Sequence, residues 1–490
     1  MASRPLVRLY VNGVHRASST GSTFVVRNTF SGKPVTTAAA ASSADCLEAI
    51  NSAQRAFPAW EALSPWARHS IFCKAADIMD TEAWKKQVRE AMVEETSSTP
   101  SWLGYHTNVS TMMRAYASMV NELKGQTFPS CVPGGGQVIV QRRAQGVVYS
   151  VIPWNGPVSL TLRGVAIPAV LGNTIVMRPS EFSPRVHALI IDAFNEAGVP
   201  PGVINFVPMS PEDTPTLTQE ILAHPAVRNV SFTGSDRVGR VIATECAKHL
   251  KPCVLELGGK SPAVVLADAN FDDCARGLLA GALMNSGQVC MSTERIIVER
   301  SAVEPLVAAL KKHIASITAG DPATSAISSL FTETSAEGIL GLLRDAKDAG
   351  AEIVAGDIQR DGALIKPHIV LGVKRGMRLW EQESFGPILS ITVADSVDHA
   401  VELANDSEYS LTSGLWTNSL QALDIAARIH AGSVNINGMT INNEWGNGIA
   451  GLGGRSGYGK FDVHHFTDER VITVHNLGRQ YPGFLPPSAP

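Results

Sequence analysis

Gly146-Val147-Val148-Tyr149-Ser150-Val151-Ile152 runs straight into Pro153-Trp154-Asn155-Gly156, and Asn173-Thr174-Ile175-Val176-Met177 runs into Arg178-Pro179-Ser180-Glu181. Each is a short, nearly continuous apolar stretch closed by turn residues, the pattern of a strand buried on both faces. After the second, Ser183 stands where a helix N-cap belongs, with Pro184 in the first turn. Val186, Leu189, Ile190 and Phe194 then recur at helical spacing, and Gly198 ends the element. Residues 228–232 read as a third strand, Thr233-Gly234-Ser235 as a tight turn, and Val238, Val241, Ile242 and Cys246 as the apolar face of the next helix. Strand and helix alternate, so the fold class is α/β with a parallel sheet.

Working outward, residues 44–121 read as helices, with Cys46, Ala49, Ile50, Ala53, Ala56 and Phe57 on one face. Ahead of them, Leu9-Tyr10-Val11-Asn12-Gly13 is a strand entering a turn, and Thr23-Phe24-Val25-Val26 before Phe30-Ser31-Gly32-Lys33 is another. Downstream, a further strand-rich unit opens at residues 252–260 and alternates to about Val434, which puts a domain boundary near Leu257. Pro482, Pro486, Pro487 and Pro490 mark a frayed tail.

A chain of 490 residues with 44% apolar and 18% charged side chains can bury two or three domains. Its 41 Lys and Arg against 45 Asp and Glu are spread out, with no basic footprint for nucleic acid or anionic lipid. A small-molecule substrate is expected. Seven scattered cysteines without a Cys-x-x-Cys pair speak against a disulfide framework and against a metal site, and point to a reducing cytoplasm. No apolar run reaches the roughly 18–20 residues of a membrane span. The first 44 residues hold no Asp or Glu but several Arg. That is also the composition of a mitochondrial presequence, yet the same residues read as the two strands above.

Residues 271–286 carry Ala275, Leu278, Leu279, Ala282 and Leu283 on one helical face and lead into Gly287-Gln288-Val289-Cys290. A helix therefore delivers a glycine-containing loop with Cys290 at its tip. A single cysteine is most often a small buried hydrophobe. Cys290 is set apart by two other strand ends. Glu256, at the end of an apolar strand and before Leu257-Gly258-Gly259-Lys260, holds a carboxylate where backbone can approach closely. Asn155 offers an amide for the oxyanion that forms when a thiolate attacks a carbonyl.

In the order Pro153-Trp154-Asn155, Phe232-Thr233-Gly234-Ser235, Glu256-Leu257-Gly258-Gly259-Lys260, Gly287-Gln288-Val289-Cys290 and Glu383-Ser384-Phe385-Gly386-Pro387, the chain resembles the aldehyde dehydrogenase superfamily over nearly all of its length. The resemblance implies a Rossmann-like cofactor domain (1–127 and 147–256), an α/β catalytic domain (257–467) and a small β oligomerisation flap (128–146 and 468–490). Gly134-Gly135-Gly136 before Val138-Ile139-Val140, and Val471-Ile472-Thr473-Val474, look like its bridging strands, so a homodimer or homotetramer follows. Cys290 is implied as nucleophile, Asn155 and the Cys290 N–H as the oxyanion hole, and Glu256 as the base that activates water on the thioester.

The Rossmann glycine fingerprint is absent; the resemblance substitutes Gly234 and Ser235 at a helix start, with Gly239 following. It further implies cofactor contacts at Ile152, Pro153, Trp154, Arg178, Ser180, Glu181, Val238, Leu257, Glu383 and Phe385. Glu181 suits a free ribose diol and repels a 2′-phosphate, so NAD is expected over NADP. Phe206-Val207-Pro208-Met209-Ser210 departs from the family's usual glycine after Val-Pro. For the aldehyde, Gly156 leaves room and Arg163 supplies a donor fork for a ring hydroxyl, phenolate or carboxylate, or else pairs with an acidic neighbour. Leu160, Val289, Met291 and Leu452 complete the implied pocket. The run from Asn285 to Arg295 resembles the salicylaldehyde and aromatic-aldehyde subgroup, which favours salicylaldehyde- or vanillin-like substrates. An aliphatic aldehyde or a semialdehyde is the alternative, and a non-redox thiol esterase is the rival from another class.

Overall fold

The computed structural model describes residues 4–132, 135–442 and 450–478. Gly134 and the Pro-rich tail lie outside these residues. Eight strands form the first large sheet, in the order Gly457–Tyr458, Cys253–Glu256, Val227–Thr233, Val147–Val151, Thr174–Arg178, Ile204–Phe206, Leu9–Val11, Val14–Arg16. Its five central strands pair in parallel. Val147–Val151 is buried at every residue, as a strand covered by helices on both faces must be. From it the chain steps one way to Thr174–Arg178 and Ile204–Phe206, then returns to Val227–Thr233 on its other side. That reversal opens a crevice at the carboxyl ends of Val147–Val151 and Val227–Thr233, where open α/β sheets hold ligands. Asn12 and Gly13, both at positive φ (52° and 79°), make the hairpin turn at the far edge.

Helices fill residues 43–117, as Ser43–Ala62, Pro65–Met79, Glu82–Thr96, Pro100–Thr107 and Ser110–Ala117. Pro184–Glu196 begins where expected, with Ser183 at the cap position and Pro184 at the first turn. The Ser183 hydroxyl does not cap, however, because it pairs with Nε2 of buried His187 at 3.1 Å.

Seven strands form the second sheet, in the order Glu352–Ala355, His368–Leu371, Ile388–Ala394, Thr293–Glu299, Ser261–Val265, Thr412–Trp416, Ser433–Ile436. Among the described residues only Glu352–Ala355 runs antiparallel within it. Leu257-Gly258-Gly259-Lys260 links the first sheet to the second. The stretch 257–467 does not stay with the second sheet, because Gly457–Tyr458 pairs antiparallel with Leu255 and Glu256. Gly457 makes this return feasible: its φ is 80°, and a Cβ there would lie 2.1 Å from the Leu255 carbonyl oxygen. Gln126–Pro129, Gly136–Ala144 and Thr467–His475 make a separate antiparallel ribbon. Among the described residues no helix is long and apolar enough to cross a membrane.

Candidate active site

The Phe271–Leu283 helix presents Asp272 and Asp273 in its first turn and is capped by Asn270. It ends three residues earlier than the apolar periodicity implies. Asn285 (φ 51°), Ser286 (φ 58°) and Gly287 (φ 78°) all enter the left-handed region, which is costly for Ser and persists only where surroundings enforce it. Here the Ser286 hydroxyl donates to the Ser328 carbonyl and accepts from the Ser328 N–H, each at 3.0 Å. Gln288 donates to the Asn285 carbonyl at 3.1 Å and accepts the Phe331 N–H at 2.8 Å. These polar groups set the loop that carries Cys290, whereas sequence alone assigns roles only to its glycine and cysteine.

Glu256 stands at the last residue of Cys253–Glu256 and is buried. The Cys290 thiol donates to its Oε1 at 3.2 Å. Gly259 brings the linker against the loop, since a Cβ there would sit 2.1 Å from the Cys290 carbonyl oxygen. Burial pushes the thiol up to about 11, while the Arg163 guanidinium acts the other way. Cys290 therefore rests as a thiol whose proton points at a carboxylate.

Asn155 donates from Nδ2 to the Gln288 carbonyl at 3.0 Å, leaving the second N–H of its amide for a carbonyl oxygen of substrate. Its backbone carbonyl accepts Trp102 Nε1 at 2.9 Å and Asn285 Nδ2 at 3.3 Å. Trp102, which no motif or spacing singles out, stacks on Tyr105 with ring centres 5.2 Å apart.

Arg163 is drawn inward. It is buried, lies over the Phe461 ring at 4.5 Å, and forms an ion pair with Glu256 Oε2. The acidic neighbour, not a free pocket wall, has taken the fork expected to meet a ring substituent, because a buried guanidinium needs a counter-charge. Gly156 is buried next to Leu160, whose side chain would lie 3.1 Å from a Cβ at Gly156. Val289 is buried, Met291 and Leu160 are half-buried, and Leu452 is exposed.

Two cavities hold residues expected from the sequence to contact a cofactor. One, about 540 Å³, lies in the sheet crevice and is lined by Val151, Arg178, Glu181, Thr214, Phe232 and Val238 among others. Arg178 donates to Glu181 there at 2.7 Å. Ser235 caps the Asp236–Lys248 helix through the Val238 N–H at 3.4 Å, so that helix points its N-terminus toward this side of the sheet. Ser180, Ile152 and Leu257 are buried behind it. Pro153 is half-buried at the strand end.

The other cavity, about 380 Å³, is lined by Trp154, Gln288, Phe331, Glu383 and Phe385 among others. Trp154 stacks on Phe331 at 4.3 Å. Glu383 accepts the Gly259 N–H at 2.8 Å, and burial pushes its carboxyl up to about 8. Phe385 holds φ at 49°. What enforces that strain is Glu294, a buried carboxylate that accepts Lys260 Nζ at 2.7 Å, the Ser384 hydroxyl at 2.8 Å, and the Ser384 and Phe385 N–H groups at 2.9 and 3.1 Å. Glu294 and Lys260 are visible in the sequence only as motif neighbours.

The Aldehyde dehydrogenase family model matches residues 15–474. A vanillin dehydrogenase of Pseudomonas fluorescens is 38% identical over 484 residues, covering 97% of this chain and 99% of that protein. A salicylaldehyde dehydrogenase of Pseudomonas putida is 37% identical over 486 residues, with the same coverage of 97% and 99%. The crystal structure of a salicylaldehyde dehydrogenase from Pseudomonas putida G7, complexed with salicylaldehyde, aligns with a TM-score of 0.94 at 34% identity, covering 98% of this chain and 100% of that one.

Proposed function

Because this chain belongs to the aldehyde dehydrogenase family, we propose that it oxidises an aromatic aldehyde, of the salicylaldehyde or vanillin kind, to its carboxylic acid with NAD. The observation that carries the chemistry is the Cys290 thiol donating to Glu256 at 3.2 Å. Glu256 takes the thiol proton, and the thiolate adds to the aldehyde carbon. The free N–H of Asn155 and the Cys290 N–H steady the oxyanion. When bound, a nicotinamide dinucleotide would supply the acceptor for the hydride of the aldehyde carbon. Glu256, once it has passed the thiol proton to solvent, deprotonates the water that releases the acid from the Cys290 thioester.

The residues present suit that dinucleotide. The crevice offers apolar walls for a base (Val151, Phe232, Val238), a carboxylate at Glu181 for a ribose diol, and the Ser235-capped helix start for a pyrophosphate. Glu383 and Phe385 line the second cavity, where the nicotinamide end belongs. An anchored carboxylate at Glu181 is a poor neighbour for a 2′-phosphate, which supports NAD over NADP.

The same reading gives 1–127 with 147–256 to cofactor binding, 257–467 to catalysis, and 128–146 with 468–490 to assembly of a homodimer or homotetramer in the cytoplasm. Gly156, Leu160, Val289, Met291 and Leu452 are assigned to the aldehyde channel, with aromatic preference supported by the relatives. NADH formation from salicylaldehyde, vanillin, benzaldehyde, hexanal and succinic semialdehyde, with NAD and then NADP, tests it. Aromatic aldehydes with NAD should lead; a preference for hexanal or the semialdehyde overturns the substrate class, and silence on all five overturns the activity.

A further inference from the structure

Arg163 sits in the turn Leu162–Ala166, where the helix widens to a π-type turn. The cause is local. Pro168 has no N–H to give the Gly164 carbonyl, and the Ser150 hydroxyl supplies that hydrogen bond instead, at 2.7 Å. Such turns are frequent at functional sites. The guanidinium placed here is held by Glu256 Oε2, by Thr233 Oγ1 at 3.3 Å and by the Phe461 face at 4.5 Å. Neither its Nε nor Glu256 Oε2 has a hydrogen-bond partner among the described residues, so the guanidinium meets that oxygen as an ion pair.

Glu256 thus meets Arg163 with one oxygen and the Cys290 thiol with the other. We propose that Arg163 is a positioning residue: it keeps Glu256 ionised and seated on the Cys290 sulfur, and so sets how readily that sulfur becomes a thiolate. This rests on the thiol mechanism above and deepens it. In the step, the Sγ–H bond breaks, the proton joins Glu256 Oε1, and the electron pair stays on sulfur. Arg163, which balanced the carboxylate, then balances the thiolate, so the buried trio is neutral before and after.

The other groups facing this trio are Tyr105 and Tyr116, from the Pro100–Thr107 and Ser110–Ala117 helices, and Glu383 on the far side of Cys290. None of them supplies a second cation. Without Arg163 the site would carry one uncompensated negative charge, and burial would favour the protonated forms. Arg163 already draws the Cys290 thiol down against the burial that raises it.

The test is the rate at which iodoacetamide alkylates Cys290, followed by peptide mass spectrometry across pH. It needs neither aldehyde nor dinucleotide, so failure of the substrate reading leaves it standing. Arg163→Met should move the profile to higher pH and slow alkylation near neutrality about tenfold, one unit of midpoint. Arg163→Lys should recover part of that loss. In turnover, Arg163→Met should lower kcat without an NADH burst, because the slowed step precedes hydride transfer, rather than raise KM alone. An unmoved alkylation profile in Arg163→Met, or an effect confined to KM, overturns the proposal. Should Arg163→Met fail to fold, Thr233→Val removes the hydroxyl that orients the guanidinium; a smaller upward shift supports the proposal and an unmoved profile overturns it.

Discussion

In the proposed mechanism Glu256 serves two steps because its two oxygens face different partners, a thiol and a guanidinium. Burial holds the Cys290 thiol up to about 11. A raised thiol constant means the thiolate is scarce below it and grows as pH rises. Thiol alkylation in wild type should therefore climb about tenfold per pH unit through the neutral and mildly alkaline range, and Glu256→Gln, which lacks the carboxylate that accepts the proton, should be alkylated more slowly at each pH. An unchanged rate in the variant would remove Glu256 as proton acceptor. At this scale Cys290, Glu256 and Asn155 were legible, because each closes an apolar element with residue types that make sense only together. Arg163 was legible as a donor fork for substrate or for an acidic neighbour, but not as the buried partner of Glu256: a contact between residues so distant in the chain leaves no mark in spacing. At Glu181, the argument against a 2′-phosphate predicts that Glu181→Gln narrows the preference for NAD over NADP, read as the ratio of kcat/KM values; an unchanged ratio would discard it.

Between elements, Glu294 ties three segments together: Lys260 after the glycine linker, its own strand Thr293–Glu299, and the Ser384-Phe385 turn. Its loss would leave Lys260 as a cation without its counter-charge, since the Lys260 side chain is fully buried with Glu294 as its ion-pair partner. Glu294→Ala should cost about 3–5 kcal/mol of stability, the usual cost of breaking one side of a buried pair, seen in urea unfolding. It should also weaken cofactor binding, because Phe385 loses the carboxylate that holds its strained turn. A loss below about 1 kcal/mol would show that the hub is not structural. The strands and helices themselves were readable from apolar runs and 3.6-residue spacing. The left-handed Asn285-Ser286 turn was not, because neither residue type requires that conformation and the hydrogen bonds that enforce it come from distant backbone.

For the whole molecule, the alternation of strand and helix after Gly146 was enough to expect a parallel sheet, and the order reversal beside Val147–Val151 places the crevice next to Arg178 and Glu181. The return of Gly457–Tyr458 to the first sheet was not readable, since two residues carry no periodicity. The Thr467–His475 strand pairs with Gly136–Ala144 and leaves Val471, Ile472 and Val474 exposed. An apolar strand of this kind at a ribbon edge calls for a partner. Light scattering after gel filtration should give a dimer or tetramer, and Ile472→Asp with Val474→Asp should shift it toward the monomer; a monomeric wild type would refute the assembly proposal.

The proposed oxidation through an acyl group on Cys290, hydrolysed with the help of Glu256, is tested in a single turnover. Glu256→Gln enzyme is mixed with NAD and salicylaldehyde, NADH is recorded in the first turnover, and the protein is weighed by mass spectrometry. One NADH per active site together with an acyl adduct on Cys290 is the predicted result. Undiminished steady turnover, or NADH formed with Cys290 unmodified throughout, would contradict it.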